Sequence, residues 1–156
     1  MAADAHLLTD LRLERRDLLE PPTFRVSDTQ DDGPPSPTLE LDTVTGRTNL
    51  GQAVTMRLLT PLGELTALGH PTYGSRLHEL FGSPNTATVR GRVRLAVLEA
   101  LAAERRIGEI VDVVVAPADT TGDISRRHLV VVTATVRSIP AGELVQIGPI
   151  TLELAA

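Results

Sequence analysis

A carboxylate placed among apolar residues is the first feature of the sequence that could do chemistry. Glu104 projects into the apolar arc of a predicted helix that also carries Val93 and Val97. Burial raises the pKa of a carboxyl group, as a general acid requires, and a glycoside hydrolase needs two carboxylates about 5 to 9.5 Å apart. The candidates for the second carboxylate are Glu79, Glu99 and Asp112, and the sequence singles out none of them.

The composition favours a structural role for Glu104. Saccharide sites usually offer aromatic platforms, whereas this chain of 156 residues has one Tyr, two Phe and no Trp. We therefore expect an arginine to hold the Glu104 carboxylate, because an unpaired buried charge would cost several kcal/mol. Arg57 is the preferred partner, since it also projects onto an apolar helical arc. Arg106 projects to another side of its helix and is the arginine expected to reach another chain.

Other catalytic and ligand-binding patterns are missing. The sequence contains no glycine-rich dinucleotide or phosphate loop and no His-Glu-x-x-His motif, and its four His show no ligand spacing. With no Cys, a disulfide scaffold, a thiolate metal site and a cysteine nucleophile are excluded. The net charge is −5 and no basic patch dominates, so nucleic acid is not an expected partner. We predict no catalytic residue, no metal and no cofactor.

The first third of the chain differs from the remainder. Alternating apolar residues predict short strands around residues 11–13, 24–26 and 39–42. Residues 28–37 combine acids, Gly and Pro with no apolar side chain, which predicts an exposed and mobile loop. Residues 1–45 are therefore expected to be part of, or appended to, a main domain formed by residues 46–156.

Three helices are predicted between residues 49 and 108. Asn49 and Gln52 resemble a capping box for a helix over residues 50–59. Ser75 is expected to cap a second, short helix. The longest helix is predicted over residues 87–107, since its apolar positions recur at helical spacing and Gly108 follows it.

The C-terminal part predicts β-structure. Alternating β-branched residues indicate strands over residues 110–115, 129–137 and 144–154. We predict an α+β fold in which the long helix and the shorter helices pack on a small, mainly antiparallel sheet. Three strands cannot close a barrel, so at least one sheet edge is expected to stay open. In the alternative, the N-terminal strands at residues 11–13 and 24–26 cover that edge.

The sequence also favours a location inside the cell. No segment approaches the ~18 continuous apolar residues of a membrane-spanning helix. Residues 1–10 lack the basic flank and apolar core of a signal peptide. A cytosolic protein is the expectation from these two observations.

A specific family pattern lies between residues 49 and 82. It includes Thr-Pro-Leu-Gly-Glu at residues 60–64 and His-Pro-Thr-Tyr-Gly-Ser-Arg-Leu-His at residues 70–78. This pattern resembles the lysozyme-like baseplate wedge, or sheath-initiator, family of contractile tails. That family includes proteins of myophage baseplates and extracellular contractile injection systems, and the TssE component of type VI secretion. The resemblance continues through the long helix and covers roughly residues 42–154.

One departure from the family pattern falls after the long helix. Residues 104–107 read Glu-Arg-Arg-Ile, where the family usually has Glu-Pro-Arg-Val. Glu104 and Arg106 are thus retained, whereas Arg105 stands in the place of the proline. Because proline would end the helix, its replacement predicts that the helix continues through this point.

The resemblance implies a structural role rather than lytic activity. It implies a baseplate protein that initiates sheath assembly, with Glu104, Arg105 and Arg106 as the residues that contact the wedge proteins. Its sheet would receive extended arms of sheath subunits as added strands, a form of β-augmentation. Further expected partners are inner tube or hub proteins. Copies would lie around the tube, cytoplasmic during assembly and then part of the virion or injection particle.

Two points stay open in this interpretation. Five residues match the family motif and either contact a partner or only shape the loop and short helix: Tyr73, Gly74, Ser75, Arg76 and His78. Two other classes of protein remain as alternatives, a peptidoglycan-cleaving lysozyme-like enzyme and a free-standing binding module. Phage virion, domesticated injection system and type VI secretion are not separated by the sequence.

Overall fold

The computed structural model describes residues 9–14, 23–24, 26–28, 39–118 and 126–155. The chain divides into two units, Met1–Leu50 and Gly51–Ala156. Except for Asp28, the predicted mobile loop at residues 28–37 lies outside the described residues.

The first unit contains three antiparallel pairs of short strands. They are β1 (Thr9–Leu11) with β6 (Thr43–Thr45), β2 (Leu13–Glu14) with β3 (Thr23–Phe24), and β4 (Val26–Asp28) with β5 (Leu39–Leu41). Between the pairs, the Arg12 N–H donates to the Asp42 carbonyl at 2.8 Å and Arg12 Nε lies 3.1 Å from Asp42 Oδ2. Each described strand of this unit has its backbone partner within the unit.

Helix α1 (Gly46–Leu59) begins earlier than predicted. Asn49 lies inside its first turn and is buried, so the expected capping box at Asn49 and Gln52 is wrong. The helix ends before Pro61, whose ring cannot continue it. Two short 3₁₀ helices follow, Glu64–Leu68 and Leu77–Leu80.

Helix α2 (Ala87–Ala102) is shorter than predicted. Thr86 caps it by accepting a hydrogen bond from the Val89 N–H at 3.3 Å. The prediction that the helix runs on to Ile107 is wrong, because Ile107 already begins a strand. Helical periodicity is a local signal, and in this segment the pairing of a strand with its neighbour outweighs it. In the described ranges, no helix is long and apolar enough to cross a membrane.

The second unit contains an antiparallel sheet. Its strands are β7 (Ile107–Pro117), β8 (Leu129–Ser138) and β9 (Leu144–Glu153), in the order β7-β8-β9, and α2 packs along β7. Burying a Val or Leu side chain completely contributes roughly 1.5–3 kcal/mol. The core takes such residues from helices and strands alike: Leu58, Leu77, Val93, Val97, Leu101, Val113, Val130, Val132, Val136, Val145, Ile147, Ile150 and Leu152. The predicted α+β fold is confirmed.

Candidate functional site

The family-like motif forms a loop that is fixed to the end of α1. Gly74 adopts a φ of +112°, a conformation that other residues rarely tolerate. A Cβ atom there would lie 2.6 Å from the Pro61 carbonyl oxygen and 2.7 Å from the Thr60 carbonyl oxygen. The N–H of the next residue, Ser75, donates to the Thr60 carbonyl at 2.9 Å. Only glycine allows the two chain segments to approach this closely.

The side chain of Ser75 also fixes the motif loop to the end of α1. Its hydroxyl donates to the Leu58 carbonyl and accepts from the Leu77 N–H at 3.2 Å, and the residue is buried. The N-cap position of the short helix is Arg76, which makes no side-chain cap, so Ser75 lies one position before the predicted cap, although its hydroxyl does accept from the N–H of Leu77, the first residue of the helix. Arg76 and His78 are exposed, although His78 Nδ1 lies 3.2 Å from the Ser75 carbonyl oxygen.

Glu104 lies in the turn between α2 and β7, at residues 103–106, which we name the Glu104 turn. It does not lie on a helix face, because α2 has already ended, yet its side chain is only 10% exposed. Arg106 Nε donates to Glu104 Oε1 at 2.8 Å, and the Arg106 N–H donates to the same oxygen at 3.3 Å. Arg106 was expected to point away from Glu104, and this is wrong because the turn brings the two side chains together.

Arg57 approaches the same carboxylate from α1. Its Nη2 lies 3.8 Å from Glu104 Oε2, and its guanidinium carbon lies 4.5 Å from the centroid of the Tyr73 ring. A cation over an aromatic face is attracted by the ring quadrupole, more strongly where water is partly excluded. Within the described ranges, the buried Arg57 Nε has no hydrogen-bond partner. One carboxylate thus connects α1, the motif loop and the Glu104 turn.

The electrostatics of this cluster keep Glu104 ionised. Burial raises the pKa of its carboxyl group. The hydrogen bonds and charge of Arg106, with a smaller contribution from Arg57, lower the pKa by more than burial raises it, so the pKa of Glu104 is below its ordinary value. The raised pKa considered for a general acid is therefore wrong. Burial also raises the pKa of Tyr73, partly offset by the charge of Arg57.

The other acidic candidates lie on three different elements. Glu79 is on the second 3₁₀ helix, Glu99 on α2 and Asp112 on β7, and all three are exposed. Across the described parts of the chain, no group of three His, Asp or Glu could hold a metal ion. Arg105, the residue in the place of the family's proline, is exposed.

The contact made by Arg94 was not predicted from the sequence. This residue lies on the exposed side of α2, and its Nε donates to the Val113 carbonyl of β7 at 2.9 Å. Its Nη2 also lies 3.9 Å from Asp112 Oδ1. Nothing in the local sequence around Arg94 distinguishes it from Arg90 and Arg92, the other arginines of α2, since the contact depends on how the helix packs on the strand.

Comparison with known proteins shows the fold of the chain. No family model matches it, and no curated protein sequence matches it. Among solved structures, it is similar to a Geobacter sulfurreducens protein described as a tail lysozyme, with a TM-score of 0.56 and 20% identity. The superposition covers 70% of this chain and 91% of the other. The two proteins share a fold.

Proposed function

We propose that this chain is a structural, non-enzymatic baseplate component on which the sheath of a contractile phage tail or injection machine begins to assemble. The fold shared with a protein described as a tail lysozyme supports a tail-related role. The sequences at residues 70–78 and 104–107 resemble the sheath-initiator pattern, with Arg105 in place of the family's proline. The observation that carries the proposal is the pairing of Glu104 with Arg57 and Arg106.

That pairing favours a structural role over a lytic one. A general acid must be protonated near neutral pH and must reach its substrate. Glu104 has a lowered pKa, and its side chain is 10% exposed. A carboxylate in this position is suited to holding three chain segments together, as a scaffold requires.

The proposed partners would use different parts of the second unit. Sheath subunits would add extended arms to the sheet as new strands, with main-chain hydrogen bonds supplying the affinity. Wedge proteins would contact the Glu104 turn, where Arg105 is exposed and Arg106 is 19% exposed. Inner tube or hub proteins would be further partners of the chain. The chain would be cytoplasmic during assembly and then part of the particle, in several copies around the tube.

Co-purification tests this proposal against a free-standing binding module. The tagged full chain is produced together with the sheath and tube proteins of the same particle, and the purified complexes are imaged by electron microscopy. We expect sheath-bearing baseplates that contain the chain and no sheath growth where the chain is missing. A chain that purifies alone, with sheath growth unaffected by its removal, would contradict the proposal.

The second candidate function is cleavage of peptidoglycan, favoured by the description of the structural neighbour as a tail lysozyme. Zymography of the purified chain on cell-wall gels tests it, with Glu104→Gln as the matched variant. We expect no clearing by either protein. Clearing by the wild type that Glu104→Gln abolishes would establish the enzyme instead.

A further inference from the structure

We infer that the outer edge of β9 receives the added strand, and that the outer edge of β7, blocked at Val113 by Arg94, does not. The inference rests on the proposed function, because it identifies where a sheath arm would bind. Its occupant would be an extended segment of a sheath subunit with alternating apolar and polar residues.

The alternation of hydrogen bonds along β8 shows which backbone groups face outward on its two neighbours. In an antiparallel sheet, successive residues of a central strand bond alternately to one side and the other. On the β7 side, the Leu129 carbonyl accepts from the Ala118 N–H at 3.0 Å. On the β9 side, the Ser138 N–H donates to the Glu143 carbonyl at 2.9 Å. Odd residues of β8 therefore bond to β7, and even residues bond to β9.

The outer edge of β7 is blocked in its middle, although the outward N–H and C=O of Val115 have no hydrogen-bond partner in the described residues. Val113 pairs with Ala134, an even residue, so the backbone groups of Val113 point away from β8. Its carbonyl is already occupied by Arg94 Nε at 2.9 Å, and α2 packs along the strand. Pro117, at the end of the same edge, has no N–H to offer. Arg94 and α2 thus obstruct this edge at Val113, in the way natural sheets avoid unwanted pairing.

The same register leaves groups open along β9. Residues that pair with odd positions of β8 point their N–H and C=O outward, and these are Leu144, Gln146, Thr151 and Glu153. In the part of the chain that the structure describes, none of these outward backbone groups has a hydrogen-bond partner. An edge of this kind is a template for an additional strand.

The open stretch of β9 has defined limits. Beyond Glu153, the Ala155 N–H donates to the Ser83 carbonyl at 2.8 Å and the Ala155 carbonyl accepts from the Asn85 N–H at 3.2 Å, so that end is closed. In the middle, Gly148 adopts a φ of +100° and the register with β8 shifts. The site therefore consists of two short segments on either side of the shift, at residues 144–147 and 150–153.

The side chains beside this edge indicate the chemistry of the arm. Val145, Ile147, Ile150 and Leu152 are buried on one face of β9. An added strand would extend this apolar layer with every second side chain and present polar residues on the other face. β8 keeps an unbroken alternation opposite the register shift of β9, so an arm that alternates in the same way fits both segments of the edge.

Hydrogen–deuterium exchange of the full chain with its sheath subunit provides the first test. We expect the amides of Gln146, Thr151 and Glu153 to exchange roughly tenfold or more slowly in the complex, with no change at Val115. Protection of Val115 without protection of β9 would overturn the inference while leaving the proposed function intact. Absence of any complex with the sheath subunit would overturn both. Protection at β9 that depends on the concentration of the chain alone would identify a second copy as the occupant, contrary to the inference.

Two matched proline variants provide the second test. Gln146→Pro removes an outward N–H from β9, and Val115→Pro removes an outward N–H from β7, without breaking a bond to β8 in either strand. With circular dichroism confirming folding, we expect Gln146→Pro to lose sheath assembly and Val115→Pro to retain it. The reverse result would overturn the inference. If a proline variant does not fold, the exchange measurement on the wild type still decides.

Discussion

The Glu104 turn and the outer edge of β9 use their polar groups in opposite ways. In the Glu104 turn, the carboxylate oxygens lie 2.8 and 3.8 Å from arginine nitrogens of the same chain. Along β9, the outward N–H and C=O groups of four residues have no partner within the described ranges. The first region carries charges that are paired within the chain. The second carries neutral backbone groups that are free to bond to an additional strand.

This difference shows that the segment with the most recognisable sequence pattern need not form the surface with the most unpaired hydrogen-bonding groups. The motif loop and the Glu104 turn stabilise the second unit, whereas β9 carries four residues whose outward backbone groups have no partner in the described ranges. Substitutions in the first region are therefore expected to act through unfolding. Substitutions on β9 are expected to act through binding, with little change in stability.

The largest expected effect lies at Gly74. In Gly74→Ala, the new Cβ would overlap the carbonyl oxygens of Thr60 and Pro61 at 2.7 and 2.6 Å, in a backbone conformation with φ of +112°. Combining the strain of that conformation with overpacking predicts a loss of about 4 kcal/mol in the free energy of unfolding. Urea unfolding monitored by circular dichroism measures it.

Gly91→Ala is the matched control for Gly74→Ala. A Cβ at Gly91 meets no atom within 4 Å, and the residue is exposed inside α2. Alanine is the better helix former by about 1 kcal/mol, so this variant should be more stable than the wild type. Equal effects of the two substitutions would show that the motif loop is not the rigid element described above.

The next effect concerns the buried charge. Glu104→Gln removes the carboxylate from between Arg57 and Arg106 and leaves both cations in a site where side chains are 10–19% exposed. The free energy of unfolding at pH 7 should fall by about 3 kcal/mol, the lower end of the range for a broken buried pair. Thermal and urea unfolding measure the loss.

Glu109→Gln breaks an equally short but exposed pair and serves as the control. Glu109 Oε2 lies 2.9 Å from Arg137 Nε, with side chains 61% and 45% exposed. Solvent screening limits such pairs to about 0–1 kcal/mol. If both glutamine variants lower the free energy of unfolding by the same amount, the ion pairs of the Glu104 turn are no stronger than an exposed pair. The proposed contrast between an internally paired turn and an open β9 would then be wrong.

The sequence predicted much of the second unit because its signals are local. Alternation of β-branched residues located all three strands of the sheet, and Pro61 located the end of α1. The end of α2 was placed at Ile107 rather than Ala102 because Gly108 was interpreted as the C-terminal stop of the helix. Strand pairing, a contact between distant segments, decided the conformation of that stretch.

The candidate site was predictable in its residues but not in its geometry. The apolar surroundings of Glu104 and Arg57 indicated buried charges, and the structure brings the two together. The participation of Arg106 and Tyr73 depends on the turn after α2 and on the motif loop, which helical periodicity cannot describe. The hydrogen bond from Arg94 to the edge of β7 depends on helix-to-strand packing and leaves no pattern in the sequence.

Acid should remove the contribution of the Glu104 carboxylate to the free energy of unfolding. Because the pKa of Glu104 is lower in the folded chain, its stabilising contribution is complete above the unfolded value of 4.5 and is lost as the pH falls below it. The stability difference between wild type and Glu104→Gln should therefore shrink as the pH falls from 5 through that range. A difference that stays constant down to about pH 2 would contradict the assignment.

The smallest expected effect distinguishes the two edges of the sheet. Arg94→Met removes the hydrogen bond from Nε to the Val113 carbonyl but retains much of the side-chain volume, so the loss of stability should be about 1 kcal/mol. Arg92→Met, at another exposed arginine of α2, is the control. Freeing the edge of β7 at Val113 should also increase concentration-dependent self-association in sedimentation velocity, because an uncovered edge pairs with other chains. If Arg94→Met matches Arg92→Met in both measurements, Arg94 does not obstruct the edge, and β7 competes with β9 for the arm.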